Sequence, residues 1–570
     1  MKILVFVKQI PDVNKVSFDI STGRIIRENV PLSMNSFDRR AVEEAIRLKE
    51  KYGFTVEVVS MGPPQAIDVI NESLRMGADE GFLITDRKYG GADTWATAYI
   101  LSHFAKQRKP DLMIGGKYSL DGETSQVPPE ISNMCGYRFF SSISKIEVQE
   151  NGVFLEQDYE HGILKIKSSF PMMISVSEKI NRARKIDDSV PDKKERVQII
   201  DSGKLGLDFN GNSGSLTIVD GTEMLQSKRV PKNITLDEAV DMLENALKNK
   251  GKKDSREEIR IETDFSGGTV MGIALLDSTV SIEIASEVSK LSRTNKFLTV
   301  MAGNVSPDKL RGMPANHYYH IDTMDPFSLS MEIGKLIDQL KPEFVIFPSN
   351  STGRDVAAFI AAEKKLGLTA DCVDIKYENG ELVQFKPAFG GGIIARILSK
   401  TKPGMATVRP GMFKQAFSRE EFQVHSIKTE PSGLYETVSE ERIEEKYLPL
   451  NSADIIIGLG RGVKSRALVE SFVGFSRKYG IGIGGTRPVV DMHLLPRQQQ
   501  IGITGVAISP ELYIAVGVSG MDNHMSGLRY AGKIISINND SSAPINRLAD
   551  YTINSTAEDF MKILEKRFVS

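Results

Sequence analysis

The segment Lys109–Gly116, KPDLMIGG, returns at Lys341–Pro348 as KPEFVIFP, an offset of 341 − 109 = 232 residues. Each copy is a turn followed by a short apolar run. Each run opens into a polar loop, KYSLDGETSQ in the first and SNSTGR in the second. An apolar-periodic helix pattern follows both loops. An Asn-Gly pair then marks a hairpin between alternating strands, Asn151-Gly152 in one copy and Asn379-Gly380 in the other. Two copies of one α/β unit in a single chain imply duplication or fusion of related domains.

Outward from the first copy, apolar runs alternate with helical patterns. Strands are expected at Ile3–Val7, Thr55–Ser60, Gly81–Ile84 and Leu112–Gly115, and helices at Asp38–Tyr52, Pro64–Met76 and Thr94–Gln107. This βαβα order predicts a parallel sheet covered on both faces. Ligand loops then fall at the strand C-termini: Lys8–Asp12, Met61–Pro63 and Lys117–Gln126. The second copy runs from about Gly268 to Tyr447. Between the copies, KNKGKKDSREEIR (Lys248–Arg260) reads as a solvated linker, preceded by an amphipathic Leu236–Leu247. A further boundary near Leu448–Asn451 precedes DIIIGLGRG (454–462). That is a strand and glycine loop of little specificity, because such turns also occur merely to pack a helix on a strand. The expected organisation is therefore 1–247, a linker at 248–260, then 261–450 and 451–570.

Bulk properties narrow the function. A chain of 570 residues exceeds one core and should form about three or four domains. A formal net charge of −2 gives no global field to attract nucleic acid or an anionic membrane. No apolar run approaches the roughly 18 residues of a membrane span, and MKILVFVKQIPD reads as a first buried strand, so a cytoplasmic location is expected. The two cysteines, Cys135 and Cys372, cannot supply a disulfide framework, a Cys-rich zinc site or a four-thiolate iron–sulfur cluster; each reads as a small buried hydrophobe. If the protein moves electrons, an organic cofactor must carry them.

The richest chemistry lies in Gly484–Gly527, GGTRPVVDMHLLPRQQQIGITGVAISPELYIAVGVSGMDNHMSG. Val506–Ile508 and Leu512–Val518 read as strands ending in glycine-rich loops, whose N–H groups can hold phosphates. Arg487 can face an electron-rich ring or a phosphate, Thr504 can make one hydrogen bond, and His524 can donate or accept. The inventory suits a flavin dinucleotide better than a catalytic triad or a metal.

The same residues, read as T-R-P-x-V-D, Q-x-G-x-T-G, P-E-L-Y-I-A-x-G-x-S-G and H-x-x-G, resemble the FAD domain of the electron-transfer flavoprotein α subunit. LVFVKQIPD (4–12), SMNSFDRRAVEEAIRLKE (33–50), SMGPPQA (60–66) and LDGETSQVPPEI (120–131) resemble the β subunit. The resemblance spans nearly the whole chain, β-like half first, and implies a natural fusion. It also implies two related parallel-sheet domains of the HUP-like (adenine nucleotide α-hydrolase-like) type and a Rossmann-like FAD domain. The Leu236–Leu247 segment would then be the arm with which β subunits wrap their partner. By the same resemblance Arg487 lies against the isoalloxazine, Thr504 at N5 and His524 at the O2 side. Arg409, Thr486, Ile501, Gly502, Ile503, Ser519, Gly520, Met521, Asp522, Asn523 and Asn538 fall among the FAD contacts. Two departures stand out. Ile503 replaces the family's usual Gln, and Thr556-Ala557 aligns with its usual Asp-Leu adenine contact.

In this family the β-like site holds AMP, or a second FAD in the electron-bifurcating subgroup. Asp121–Val127, DGETSQV, resembles the bifurcating D-G-D-T-A-Q-V form, and ADTWAT (92–97) its D-T-x-A-T pattern. This implies a second-site set of Phe6, Asn35, Asp38, Met61, Thr94, Thr97, Asp121, Gly122, Glu123, Thr124, Ser125, Gln126 and Val127, with Gly122, Thr124 and Ser125 forming a phosphate turn. Asp38 also reads as an N-cap. Pro128, where the subgroup has Gly, has no N–H to offer an anion but suits a helix start.

The resemblance implies an electron relay from NADH, an acyl-CoA dehydrogenase or another dehydrogenase to a membrane quinone oxidoreductase, with ferredoxin or flavodoxin as a further acceptor in the bifurcating form. Membrane contact would come only through partners. Domain swinging would need flexible joins at Lys248–Arg260 and near Leu448–Ser452. The partner-docking loop corresponds to Ile180–Asp192, INRARKIDDSVPD, which equally reads as a solvated basic loop. Three alternatives stay open: a carrier with one FAD and one structural AMP, an adenine-nucleotide sensor without flavin, and a nicotinamide dehydrogenase using DIIIGLGRG.

Overall fold

The computed structural model describes every residue except 13–16, 19–24, 27–29, 161, 188, 225–228, 251–256, 262, 389–392, 443–446, 451–452, 503–504, 507, 529–530 and 569–570. Among the described residues three large sheets, of ten, seven and six strands, organise the fold.

In the first, Lys2–Phe6 lies between Thr55–Met61 and Leu112–Gly116, all parallel. In the second, Thr269–Ala274 lies between Leu298–Gly303 and Phe344–Pro348, again parallel. In the third, Ile455–Leu459 lies between Gly482–Gly485 and Leu512–Val516. Each sheet therefore reverses its strand order beside the first strand of its own α/β unit, and ligands of open α/β sheets bind in the crevice beyond such a point. The first and second sheets are the two copies expected from the KPDLMIGG repeat, and both Asn-Gly pairs turn antiparallel hairpins.

The repeat extends to helix ends. Asp93 caps Thr94–Arg108 by accepting the Ala96 N–H, and Asp325 caps Pro326–Leu340 by accepting the Phe327 N–H. Lys109 and Lys341 end these helices in the left-handed region, with φ 49° and 46°, each N–H returning to the carbonyl four residues back. The halves meet through equivalent elements. Helix Val127–Cys135 packs on helix Ser351–Lys364, Phe139 meets Phe359 edge-on at 6.1 Å, and the buried Ser141 hydroxyl donates to Asp355 at 2.6 Å.

Each half also completes the other. Glu436–Arg442, from the second half, adds an antiparallel strand beside Gly162–Ser168 of the first sheet. Thr217–Met224, from the first half, pairs with Ile393–Ser399 in the four-stranded antiparallel sheet of the second. The first half then reaches further. Lys232–Asn233 adds a parallel strand to the third sheet, and helix Leu236–Lys250 buries Ala239, Val240 and Leu243 in the C-terminal core. Arg567 fastens that helix from outside, bonding Asp241 and, at 3.1 Å, Glu244.

Several local expectations change. Val506 makes only an isolated bridge to Ile501, and its backbone, just after Gly505, turns back on Gln500 and Gly502 instead of joining a sheet; residue 507 lies outside the described residues. Pro64–Ala66 is a tight turn before helix Ile67–Met76. At Lys248–Arg260 the described ends are structured: the helix runs to Lys250, Glu257–Glu258 pairs with Ala416–Phe417, and Ile259 is fully buried. Of the join near Leu448–Ser452, Leu450 is buried, and residues 451–452 lie outside the described residues. Cys372 is buried as expected, whereas Cys135 is half-buried. Ile180–Asp192 is tied down in part, with Arg182 and Lys185 exposed and residue 188 outside the described residues. Ile180 is buried, and Arg184 holds Glu43 and Glu50, each at 2.8 Å, on helix Ser36–Tyr52.

Candidate functional site

The C-terminal crevice lies beyond Ile455–Leu459 and Leu512–Val516. Glycine is required where the loops cross: a Cβ on Gly460 would overlap the Gly517 carbonyl, and Gly517 itself has φ 62°. DIIIGLGRG thus owes its glycines in part to packing. Thr486 follows Gly482–Gly485 at the N-cap of the short turn Arg487–Asp491, but its hydroxyl makes no cap bond. Thr486 is buried, and its Oγ1 has no hydrogen-bond partner among the described residues. A buried hydroxyl left unpaired costs free energy unless a ligand satisfies it.

Arg487 is exposed and 3.3 Å from Asp491. It faces the first half: burial lowers the Arg40 pKa, and Arg487, Arg497 and Arg182 add to this against Glu178. Ser519 and Met521 are exposed at the end of Leu512–Val516, and Gly520 (φ 80°) lies so close to Ile545 that a Cβ would overlap its backbone. Gly502 (φ 134°) packs against Gly527, where a Cβ would come within 2.7 Å of the Gly502 nitrogen. Asp522 and Asn523 lie on the turn Asp522–Met525, while Ile503 and Thr504 lie outside the described residues.

Three expected contacts are engaged elsewhere. Asn538 donates to the Val518 carbonyl at 2.8 Å and accepts the Asp540 N–H at 2.9 Å, bridging neighbouring strand ends. His524 is buried, with Nε2 2.9 Å from the Tyr513 hydroxyl and Nδ1 3.1 Å from the Ile501 carbonyl. Its ring has no spare N–H in this arrangement. Arg409 is bonded to Asp371, which Arg354 also holds at 3.3 Å; burial alone would raise the Asp371 carboxyl, but the two guanidiniums keep it well below the usual range. The Arg409 loop still reaches the C-terminal domain, because Ser509 donates to the Gly411 carbonyl at 2.7 Å.

The first-half crevice lies between Phe6 and Gly116. Phe6 and Met61 end adjacent strands, and Thr94 and Thr97 open the helix after Glu80–Ile84, two strands from Lys2–Phe6. Asp38 is not an N-cap. Asn35 holds that position, and Asp38 sits one turn in, accepting N–H groups from Lys8 at 2.8 Å, Gly116 at 3.2 Å and the Asn35 side chain at 2.9 Å. Burial pushes its carboxyl up to about 7 against those donors. Asp121 pairs with Lys8 at 2.7 Å, which holds its carboxyl low despite burial. Gly122 and Thr124 are half-buried in the loop, and the Gln126 N–H lies 3.5 Å from the Thr124 hydroxyl. The Gln126 side chain instead crosses to the Leu368 carbonyl of the second half at 3.1 Å. Val127 begins the next helix, with Pro128 in its first turn.

Glu123 and Ser125 adopt φ 51° and 57°, unusual for non-glycine residues and a form of strain that concentrates at functional sites. The Asn35 Oδ1, Glu123 Oε1 and Ser125 Oγ atoms are buried and unpartnered among the described residues. This set suits the hydroxyl and amino donors of a nucleoside. Among the described residues no group of three or more His, Cys, Asp or Glu could hold a metal, and no helix is long and apolar enough to cross a membrane.

Sequence reasoning missed Tyr513, Gly458 and the Glu178–Arg497 pair. A tyrosine inside an otherwise apolar strand was a usable signal, since a buried hydroxyl needs a partner.

Parallel sheets with glycine-lined crevices at their reversal points define a nucleotide-binding α/β protein. Comparison with known sequences narrows the class. The electron transfer flavoprotein domain matches residues 22–201 and 282–432, and the electron transfer flavoprotein FAD-binding domain matches 449–529. The electron transfer flavoprotein subunit beta of Thermoanaerobacterium thermosaccharolyticum is 37% identical over 258 residues, 44% of this chain and 99% of that protein. The alpha subunit from the same organism is 34% identical over 297 residues, 48% of this chain and 88% of its own length. The caffeyl-CoA reductase-Etf complex subunit CarD of Acetobacterium woodii is 38% identical over 186 residues, 32% of this chain and 71% of that protein. The chain belongs to the electron transfer flavoprotein family, with a β-like half followed by an α-like half.

Proposed function

We propose that this protein accepts electrons from NADH or a dehydrogenase and relays them to a quinone oxidoreductase, holding FAD in the C-terminal crevice and a second FAD in the first-half crevice. In this reading ferredoxin or flavodoxin is a second acceptor, as in electron bifurcation. The observation that supports two nucleotides is the same in both crevices: buried oxygens await a partner, Thr486 Oγ1 in one and Asn35 Oδ1, Glu123 Oε1 and Ser125 Oγ in the other. Bound flavin supplies reversible one- and two-electron chemistry. Around it the chain provides position and charge. Arg487 brings a cation to the crevice mouth, Thr486 offers a hydroxyl, and the Gly502, Gly517 and Gly520 turns let the backbone approach.

Adenosine is common to FAD and AMP, so the first-half oxygens fit either. The DGETSQV loop favours FAD through its resemblance to the bifurcating form. Denaturing release of cofactors from the purified chain, with FAD and AMP counted per chain, tests the reading. Two FADs and no AMP are expected. One of each would leave a single-flavin carrier, and no flavin after reconstitution with FAD would overturn the proposal.

A further inference from the structure

His524 lies where the family resemblance puts a flavin contact, yet its hydrogen bonds point into the protein. The Ile501 carbonyl can only accept, so Nδ1, 3.1 Å away, must carry a proton. The remaining nitrogen, Nε2, lies 2.9 Å from the Tyr513 hydroxyl. If the ring were cationic it would donate to both oxygens and leave a buried charge; burial opposes that charge, and no carboxylate is among the influences on this ring. The neutral ring, with Nε2 accepting from Tyr513, satisfies every group. Tyr513 is itself fully buried and has this nitrogen as its acceptor.

Gly458 makes the arrangement fit. It sits on the neighbouring strand Ile455–Leu459, and a Cβ there would overlap the Tyr513 hydroxyl. The resulting chain runs from the sheet to the loop. Tyr513 is anchored in Leu512–Val516, His524 stands on the turn Asp522–Met525, and Ile501 carries the backbone into Gly502. Ile501 is fixed on its other side by its own N–H, which donates to the Gly485 carbonyl at 2.9 Å.

We infer that Gly458 and Tyr513 hold His524 as a neutral imidazole protonated on Nδ1, and that His524 is a positioning residue that anchors the Ile501–Gly502 peptide rather than a donor to the flavin ring. The tautomer stands on the geometry of the chain alone, while its bearing on FAD rests on the proposed function.

Nitrogen-15 NMR of histidine-labelled full-length protein, with His524 assigned by its loss in a substituted variant, reads the tautomer with or without FAD. A protonated Nδ1 and a bare Nε2 at neutral pH are expected. A protonated Nε2 overturns the inference. Two substitutions separate positioning from flavin contact, because an Asn side-chain N–H overlays Nδ1 and a Gln side-chain N–H overlays Nε2. His524→Asn is expected to hold FAD within a few-fold of the parent, and His524→Gln to weaken it roughly tenfold, the loss of one buried hydrogen bond. The reverse order would show that Nε2 serves the flavin and would overturn the inference. If the parent protein binds no FAD, the flavin reading fails, and the NMR result still decides the tautomer.

Discussion

The guanidinium of Arg497 lies 3.2 Å from the Glu178 carboxylate, across 319 residues of sequence, and joins the C-terminal domain to the first half. Lys117 and Arg497 keep that carboxyl below its usual pKa in spite of burial. Both side chains are roughly a quarter exposed, at 29% and 26%. A pair this accessible contributes on the order of 1 kcal/mol or less. A contact of this size would bias the orientation of the FAD domain without locking it. Arg497→Ala should broaden the distribution of distances between fluorophores placed on the two domains, with Glu178→Ala giving a similar result and the double variant little more. An unchanged distribution would show that other contacts set the orientation.

Thr486→Val separates two roles of one hydroxyl. Without ligand, the substitution removes a buried group that has no partner, so stability should hold or rise slightly. With FAD, affinity should fall by about five- to tenfold. Equal FAD affinity in both proteins, followed by flavin fluorescence, would remove Thr486 from the site.

Leu243 is fully buried in the C-terminal core although it belongs to the first half's arm. Leu243→Ala should destabilise that domain by about 2–4 kcal/mol. Chemical denaturation should show the loss in the C-terminal transition; a change confined to the first half would contradict the packing.

Burial lowers the His524 pKa from its ordinary 6.5 to about 4. The unfolded chain therefore binds a proton there more readily than the folded chain. The stabilisation from keeping the ring neutral is complete above pH 6.5 and is lost as pH falls toward 4, amounting to about 3 kcal/mol at most. His524→Asn should flatten that part of the stability–pH profile. The same acid slope in parent and variant would assign it to other groups.

Much of the architecture was legible in the sequence because it rests on local periodicity. The KPDLMIGG repeat placed both copies, and the amphipathic Leu236–Leu247 marked the arm. Val506–Ile508 misled because a three-residue apolar run carries no period. Gly505 just before it, where a Cβ would overlap the Gln500 carbonyl, lets the Val506 backbone close on Gln500 and Gly502 rather than join a ladder. Cys135 and Arg184 show a second limit: exposure and ion pairing depend on what a distant segment supplies, as Glu43 and Glu50 do for Arg184. At the site, residue types pointed to nucleotide chemistry, but orientation was out of reach. Nothing in the spacing of Tyr513 and His524 reveals that one hydroxyl consumes the imidazole's free nitrogen.

The reciprocal strands have a further consequence. Glu436–Arg442 closes a sheet begun in the first half, and Thr217–Met224 closes one begun in the second. The gene can be cut in two, but the fold cannot: each fragment would carry an unzipped edge that only the other fits. A chain severed between residues 250 and 257 should therefore behave as an obligate pair whose melting temperature rises with concentration, while the intact chain melts independently of concentration. Continuity of the backbone thus converts a problem of finding a mate into one of folding once. It also brings a hazard, since two intact chains could trade these same strands and lock as a dimer.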